Sequence, residues 1–274
     1  MAITAAMVKE LREKTGAGMM DCKKALVEAN GDMEEAVVYL REKGLAKAAK
    51  KAGRATSEGT IGLWIADDAS SGVMVELLCE TDFAAKNEEF TSFAAALATK
   101  AGELGAEKIE DMPEDACDLT PLVSKIGENM QIGRVARIAV DGIVGSYVHA
   151  NGKIGVLVGL AGGKPGEHDQ IAKDIAMQVA AANPLCVSPD QVPQELLDRE
   201  KEIYKAQAME EGKPAEIAEK IVLGRVSKYY KEVCLLEQPF IKDDKKVIKD
   251  LLKGSGVTLQ GFARLGLGEG TSED

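Results

Sequence analysis

The sequence predicts an α+β fold assembled from several modules, and three observations carry that reading. Apolar residues recur with a helical period up to about residue 55, and from Glu58 the period shortens to that of strands. A unit of strand, turn, strand and alanine-rich helix occurs twice, at about 58–102 and 143–183. Residues 193–231 read as helix, turn, helix with too little apolar surface for a core of their own, a pattern that suggests a projecting coiled-coil arm.

The expected boundaries follow in chain order. Residues 1–44 form a three-helix domain. Its first helix, Ala5–Lys14, carries Met7, Val8 and Leu11 on one face and ends at Thr15-Gly16-Ala17-Gly18. The second runs from Met19 to Ala29 and closes at Asn30-Gly31. Asp32 caps the third, Met33–Lys43, and Gly44 is expected to stop it. Residues 45–57 are a basic helical linker, with Lys47, Lys50, Lys51 and Arg54 sharing one face.

Residues 58–142 form a first core subdomain. TIGLWIAD, the turn DASSG and VMVELLCE make a hairpin, followed by a helix with Phe90, Phe93, Ala94 and Leu97 inward. A short helix ending in SKIGEN and the strand RVARIAVDG complete it. Residues 143–192 begin a second subdomain, in which Asn151-Gly152 is a strong hairpin turn and Asn183-Pro184 ends the helix. In the 193–231 arm, Leu196, Leu197, Ile203 and Met209 are expected to face Ile217, Ile221, Val222 and Val226. Residues 232–274 return to the second subdomain through a helix DKKVIKDLLKG and a strand GVTLQGFARLGLGEG, then an acidic tail.

Composition narrows the function. The 274 residues include 45% hydrophobic types and no apolar run long enough to cross a bilayer, so a membrane role is not expected. The amphipathic, charged start does not read as a signal peptide. Five scattered cysteines without a CxxC pair favour a reducing cytoplasm over disulfides or a zinc site. The net charge of −11 argues against general nucleic-acid binding. It is uneven: residues 1–55 hold eleven Lys/Arg against eight Asp/Glu, net +3, leaving −14 on the rest. A slightly basic head on an acidic body points to protein partners.

Catalytic motifs are missing. The only histidines are His149 and His168, and HExxH, GxSxG and GxxxxGK[ST] do not occur. AGGKPGEHD at 161–169 follows a strand but lacks the Lys-Ser/Thr ending of a phosphate loop. Cys79 reads as a buried small apolar residue, and His149 as an exposed residue at a strand end. The stretch LLCETDFAAKN at 77–87 stands out, because Phe83 follows a carboxylate at the polar end of an apolar strand. Two readings are open for it. Thr81 or Asp82 caps a helical turn with Phe83 packed as a staple, or Phe83 is an aromatic wedge held out for a partner's pocket.

Several segments carry a family resemblance. VKELREKTGAGMMDCKKALVEANGDMEEAVVYLREKG at 8–44 and ELLCETDFAAKN at 76–87 resemble the paired signatures of the bacterial elongation factor Ts family. SKIGEN at 124–129, GSYVHANGKIGVLV at 145–158, DIAMQVAAANPLCVS at 174–188, GKPAEIAEKIVLGR at 212–225 and EQPF at 237–240 do so in the family's order. The resemblance implies a nucleotide-exchange factor for the GTPase elongation factor Tu, without bond-making chemistry, cofactor or metal of its own. It implies a head like ubiquitin-associated domains, two related core subdomains, a coiled-coil arm, and a capacity for higher-order assembly with Tu. Thr81, Asp82 and Phe83 become the intruding segment that disturbs the partner's Mg²⁺ site, with Ile126 and Gly127 beside them. Met19, Met20 and Lys23 become contacts with the same GTPase domain, His149 a contact with its third domain, and Ile241 a further contact. The chain departs from the usual motif at Leu77 and Ala84, and contacts from the C-terminal helix of some members are not expected. Two competing readings remain: an adaptor that binds through the head alone, and an RNA-binding accessory acting through Lys47, Lys50, Lys51 and Arg54.

Overall fold

Helix caps set the first module. The computed structural model of the chain describes residues 3–212 and 214–269, so the acidic tail at 270–274 and Lys213 in the arm's turn lie outside the described residues. Thr4 accepts the Met7 amide at the start of α1 (Ala5–Thr15), and Gly16, left-handed at φ 68°, closes it. α2 spans Met19–Glu28. Asp32 caps α3 by accepting the Glu35 amide. Val8, Leu11, Cys22, Ala25, Leu26 and Ala36 form the core the three helices share.

Gly44 does not stop the third helix. α3 runs through it from Met33 to Lys51, so the expected break between head and linker is not a break in the helix. Gly44 is buried there, and a Cβ on it would meet the Ser124 hydroxyl at 2.7 Å. The glycine is a point of close approach between α3 and the short helix α6 (Thr120–Ile126).

Two three-stranded antiparallel sheets follow. β1 (Glu58–Ile65), β2 (Ser71–Cys79) and β3 (Met130–Ala139) lie in the order β1-β2-β3. β4 (Gly142–Val148), β5 (Ile154–Ala161) and β8 (Thr258–Gly266) lie in the order β4-β5-β8. Each central strand is a nearly unbroken apolar run because both of its faces are covered. Met74 and Leu157 meet in the cluster between the sheets, with Ile61, Val144 and Leu265. On the outer faces, Val73 and Val75 pack under α5 (Glu88–Leu104). Val156, Val158 and Leu160 pack under α7 (Asp169–Ala182).

The twofold repeat read from the sequence extends to single positions. Gly62 on β1 lies against the Ala94 carbonyl of α5, and Gly145 on β4 lies against Ala172 of α7. In both units a strand glycine and an alanine face bring helix and sheet close. An ion pair within the first sheet, with Glu76 buried, is linked to the second sheet through its arginine. Glu76, opposite a bulge in the β2–β3 ladder, accepts Nε and the backbone N–H of Arg134, each at 2.9 Å. Arg134 also donates to the Gly266 carbonyl at 2.8 Å.

The arm is a helical hairpin of α8 (Gln194–Glu210) and α9 (Ala215–Val233), but its expected seam needs correction. Leu196, Ile203, Met209 and Ile217 are exposed. Of the expected residues Leu197 and Val226 are buried and Ile221 and Val222 half-buried, while buried Ala208 and Ala218 and half-buried Tyr204 complete the seam. A second correction concerns the last helix. Residues Asp243–Val247 are strand β7, paired with β6 (Pro239–Phe240), and only Ile248–Leu252 form α10. Asp250 caps its start through the Val247 amide, so the helix begins four residues later than the expected stretch DKKVIKDLLKG.

His168 explains the glycine-rich 161–169 loop. Its Nδ1 accepts the Lys164 amide at 3.1 Å, which leaves the proton on Nε2, 3.0 Å from the Ser255 carbonyl. The loop is tied inward to the chain before β8.

Candidate partner-binding site

β2 ends at Cys79, the last residue paired with both Glu58 of β1 and Met130 of β3. Beyond it Thr81 caps the one-turn helix α4 (Asp82–Ala85), accepting the Ala84 amide at 3.2 Å. The capping half of the local reading therefore holds. The staple half does not, because Phe83 is 83% exposed while Ala84 faces the core. In a one-turn helix successive side chains point about 100° apart, so burying Ala84 turns Phe83 outward.

Asp82 sits half-exposed beside Phe83, with Lys86 Nζ 2.7 Å away. That hydrogen bond and the lysine's charge hold its carboxyl below the ordinary range, and a more distant attraction to Lys153 adds to the effect. Cys79 is no nucleophile. Burial, with Glu128 nearby, pushes its thiol up to about 12, and its Sγ donates to the Thr81 carbonyl at 3.2 Å.

The end of α6 is joined to this turn by a reciprocal pair of carboxylates. Gly127, left-handed at φ 90°, closes α6, and the next residue, Glu128, reaches back across to β2. Its Oε2 accepts the Glu80 and Thr81 amides at 3.1 and 3.0 Å, and its Oε1 accepts the Thr81 hydroxyl at 2.6 Å. In return Glu80 accepts the Asn129 amide at 2.6 Å and pairs with Arg54 at 3.3 Å. The Asn129 amide bond, then Arg54, hold the Glu80 carboxyl below its usual range. A carboxyl lowered by folding contributes stability that is complete above its unfolded pKa of about 4.3 and is lost as pH falls through the folded value. Acidifying from about pH 5 to about pH 3 should therefore lower the melting temperature of the native chain more than that of Glu80→Gln. Equal losses in a differential scanning comparison would show that this carboxylate is not linked to folding.

Thr81, Asp82, Phe83, Ile126 and Gly127 are thus brought together, with Ile126 half-buried in the same apolar cluster as Ala84. The hairpin bearing His149 reaches the same end of the molecule. Gly152 accepts the Ile61 amide at 2.9 Å, and Lys153 pairs with Glu58 at 2.6 Å. His149 itself is exposed, its Nδ1 3.0 Å from the Tyr147 hydroxyl. Ile241 stands apart on the β6–β7 turn, where its amide donates to Gln178 of α7 at 2.9 Å.

On the head, Met19 and Met20 are 59% and 74% exposed, and Lys23 is exposed beside them. Val27, also exposed, extends the Met20–Lys23 face by one turn. The four cations of the linker do not form a free stripe. Lys47 pairs with Asp21 at 2.9 Å, Lys51 donates to the Gly127 carbonyl and Arg54 pairs with Glu80, leaving Lys50 exposed. The structure adds Glu80, Glu128 and Asn129 to the site. Their partners lie some 50 positions away along the chain, so the bonds they make are not legible locally, although all three lie in segments that carry the family resemblance.

With the geometry in place, comparison with known proteins identifies the family. A family model described as "Elongation factor TS" matches residues 80–269, from Glu80 of the turn just described to Glu269. The chain belongs to the elongation factor Ts family. It is 50% identical to "Elongation factor Ts" of Desulfovibrio desulfuricans over 288 residues, covering 97% of this chain and 98% of that one. It is likewise 50% identical to "Elongation factor Ts" of Clostridium botulinum over 284 residues and of Clostridium perfringens over 285, in each case with 98% of this chain and 94% of the relative covered. The relatives' coverage takes in the head with Met19, Met20 and Lys23, which the family-model match leaves out. Among the described residues of this elongation factor Ts family member, no helix is long and apolar enough to cross a membrane, and no cluster of metal-ligating side chains occurs.

Proposed function

We propose that this chain is the guanine-nucleotide exchange factor of the GTPase elongation factor Tu. The observation that carries the reading is Phe83, a large aromatic 83% exposed at the tip of a capped, cross-braced turn. A side chain so placed has no folding role to explain it, and a rigid aromatic anchor is the kind of group that dominates a protein interface. Phe83 enters the nucleotide domain of the GTPase near its Mg²⁺ site. Asp82 beside it, kept anionic by Lys86, disturbs the contacts that hold the ion.

Ile126 and Gly127 press against the same domain, and Met19, Met20 and Lys23 hold it from the head, a three-helix module resembling ubiquitin-associated domains. Methionine suits such an adaptable apolar contact. His149 meets the third domain of Tu, and Ile241 makes a further contact with the nucleotide domain. The 193–231 hairpin serves as a coiled-coil arm.

Exchange needs no covalent step. Contacts made well only with the nucleotide-free GTPase lower its affinity for GDP, and by linkage GDP lowers the affinity for the factor by the same ratio. The pairing of Lys47, Lys51 and Arg54 within the protein works against an RNA-binding role for that helix face. Stopped-flow release of fluorescent GDP from elongation factor Tu tests the proposal. The expected outcome is a release rate that rises with the concentration of this protein and saturates. Tight binding to Tu with an unchanged release rate would instead identify an adaptor.

A further inference from the structure

We propose that Glu128 is a positioning residue of the exchange site, its carboxylate setting where Phe83 stands. The inference rests on the reading of Phe83 as the wedge. With 83% of its surface exposed, Phe83 has little side-chain packing to aim it, so its direction comes from the backbone of α4. That helix is a single turn of four residues, too short to hold itself in water. Its geometry therefore depends on what clamps its cap residue, Thr81.

The clamp is the Glu128 carboxylate. Past Cys79 the strand has left its ladder, and the Glu80 and Thr81 amides both donate to Glu128 Oε2. The Thr81 hydroxyl donates its single proton to Glu128 Oε1, which leaves its lone pairs free to accept the Ala84 amide. A relay thus runs from Glu128 through the Thr81 hydroxyl to the first turn of the helix bearing Phe83. Charge-assisted bonds of this kind are among the stronger ones available to a partly buried turn.

Glu128 also stands next to Gly127, whose carbonyl accepts Lys51 of α3, and next to Asn129, whose side-chain amide donates to the Arg54 carbonyl at 2.7 Å. One short segment therefore fixes the wedge, the end of α6 and the end of the helix leading from the head. Glu128 thereby ties the wedge to a segment whose neighbouring residues, Gly127 and Asn129, are anchored to the helix from the head, so that a GTPase held by the head meets Phe83 at the right depth.

The test uses the full-length protein and elongation factor Tu loaded with fluorescent GDP. Maximal release rate and half-saturating concentration are measured for the native chain, Glu128→Ala, Glu128→Gln and Phe83→Ala. A misplacement of about 1 Å at a reacting site costs up to about a hundredfold in rate. Glu128→Ala is accordingly expected to lower the maximal rate about tenfold or more, with half-saturation within about twofold. Glu128→Gln, which keeps one acceptor oxygen and the shape, should recover most of that loss. Amide exchange at Glu80, Thr81 and Ala84 should quicken in Glu128→Ala while the sheet amides stay protected. An unchanged maximal rate in Glu128→Ala beside an impaired Phe83→Ala overturns the positioning role alone. Full activity in both variants removes the wedge and the clamp together. Loss of cooperative melting in Glu128→Ala would make it a folding residue and overturn the proposal.

Discussion

Phe83→Ala should abolish most of the stimulation of GDP release and leave the fold untouched. Truncating a central aromatic anchor typically costs about 2–4 kcal/mol at an interface, which corresponds to roughly thirty- to several-hundredfold in rate if the contact forms only on the way to the nucleotide-free complex. The fold should not register the change. An exposed side chain away from caps and cores contributes within about 0.5 kcal/mol, a shift in Tm of roughly 2 °C or less for a chain of this size. The Thr81 cap, the buried Ala84 and the Glu128 bonds all survive the substitution. Release rate and melting temperature together decide the outcome. A large fall in both would return Phe83 to a packing role and contradict its exposure. A rate unchanged at saturation would leave the interface without its anchor.

Much of this architecture is legible in the order of the residues, and the exceptions share one physical cause. Caps and turns act within four residues, so Thr4, Asp32, Asn151-Gly152 and Asn183 mark their elements directly. The two strand–helix units show because a strand covered on both faces must be apolar throughout. What local patterns misjudge is every residue whose partner is distant. Gly44 has the composition of a helix stop and is instead a contact with Ser124. Lys47, Lys51 and Arg54 have the spacing of an open basic stripe and instead bind Asp21, the Gly127 carbonyl and Glu80. In the arm, helical periodicity marks two apolar faces, and only packing decides that the alanines Ala208 and Ala218 lie between the helices while Ile203 and Met209 do not. The candidate site divides in the same way. Phe83 stands out by residue type alone, whereas Glu128 lies in a marked segment, SKIGEN, without any local sign that it holds the turn at Thr81.

Close helix-on-sheet packing has a cost that can be tested at Gly62. A valine there would place its Cβ on the Ala94 carbonyl oxygen of α5 and 3.3 Å from the Ala98 side chain. The obstacle is backbone, which cannot rotate away as a flexible side chain can, so α5 must lift off β1. Lifting it opens the cluster of Leu97, Ala98 and Ala101 over Val73 and Val75. Overpacking of this kind costs about 3 kcal/mol, a fall in Tm of roughly 6–12 °C. Gly145→Val, against Ala172 of α7, should cost a similar amount, because the second unit uses the same close approach. Gly224 provides the opposite sign. It is an exposed glycine within α9, and beyond its own neighbouring helix backbone no atom lies within 4 Å of where its Cβ would lie, so Gly224→Ala should strengthen the arm by about 0.5–1 kcal/mol. Thermal melts of the three variants discriminate between the possible causes. If Gly62→Val melted like Gly224→Ala, the glycine would reflect composition alone and the close contact of α5 with β1 would be wrong. If only the strand glycines destabilise, the repeat is held together by the absence of two side chains, and the same absence lets an alanine-rich helix serve both units.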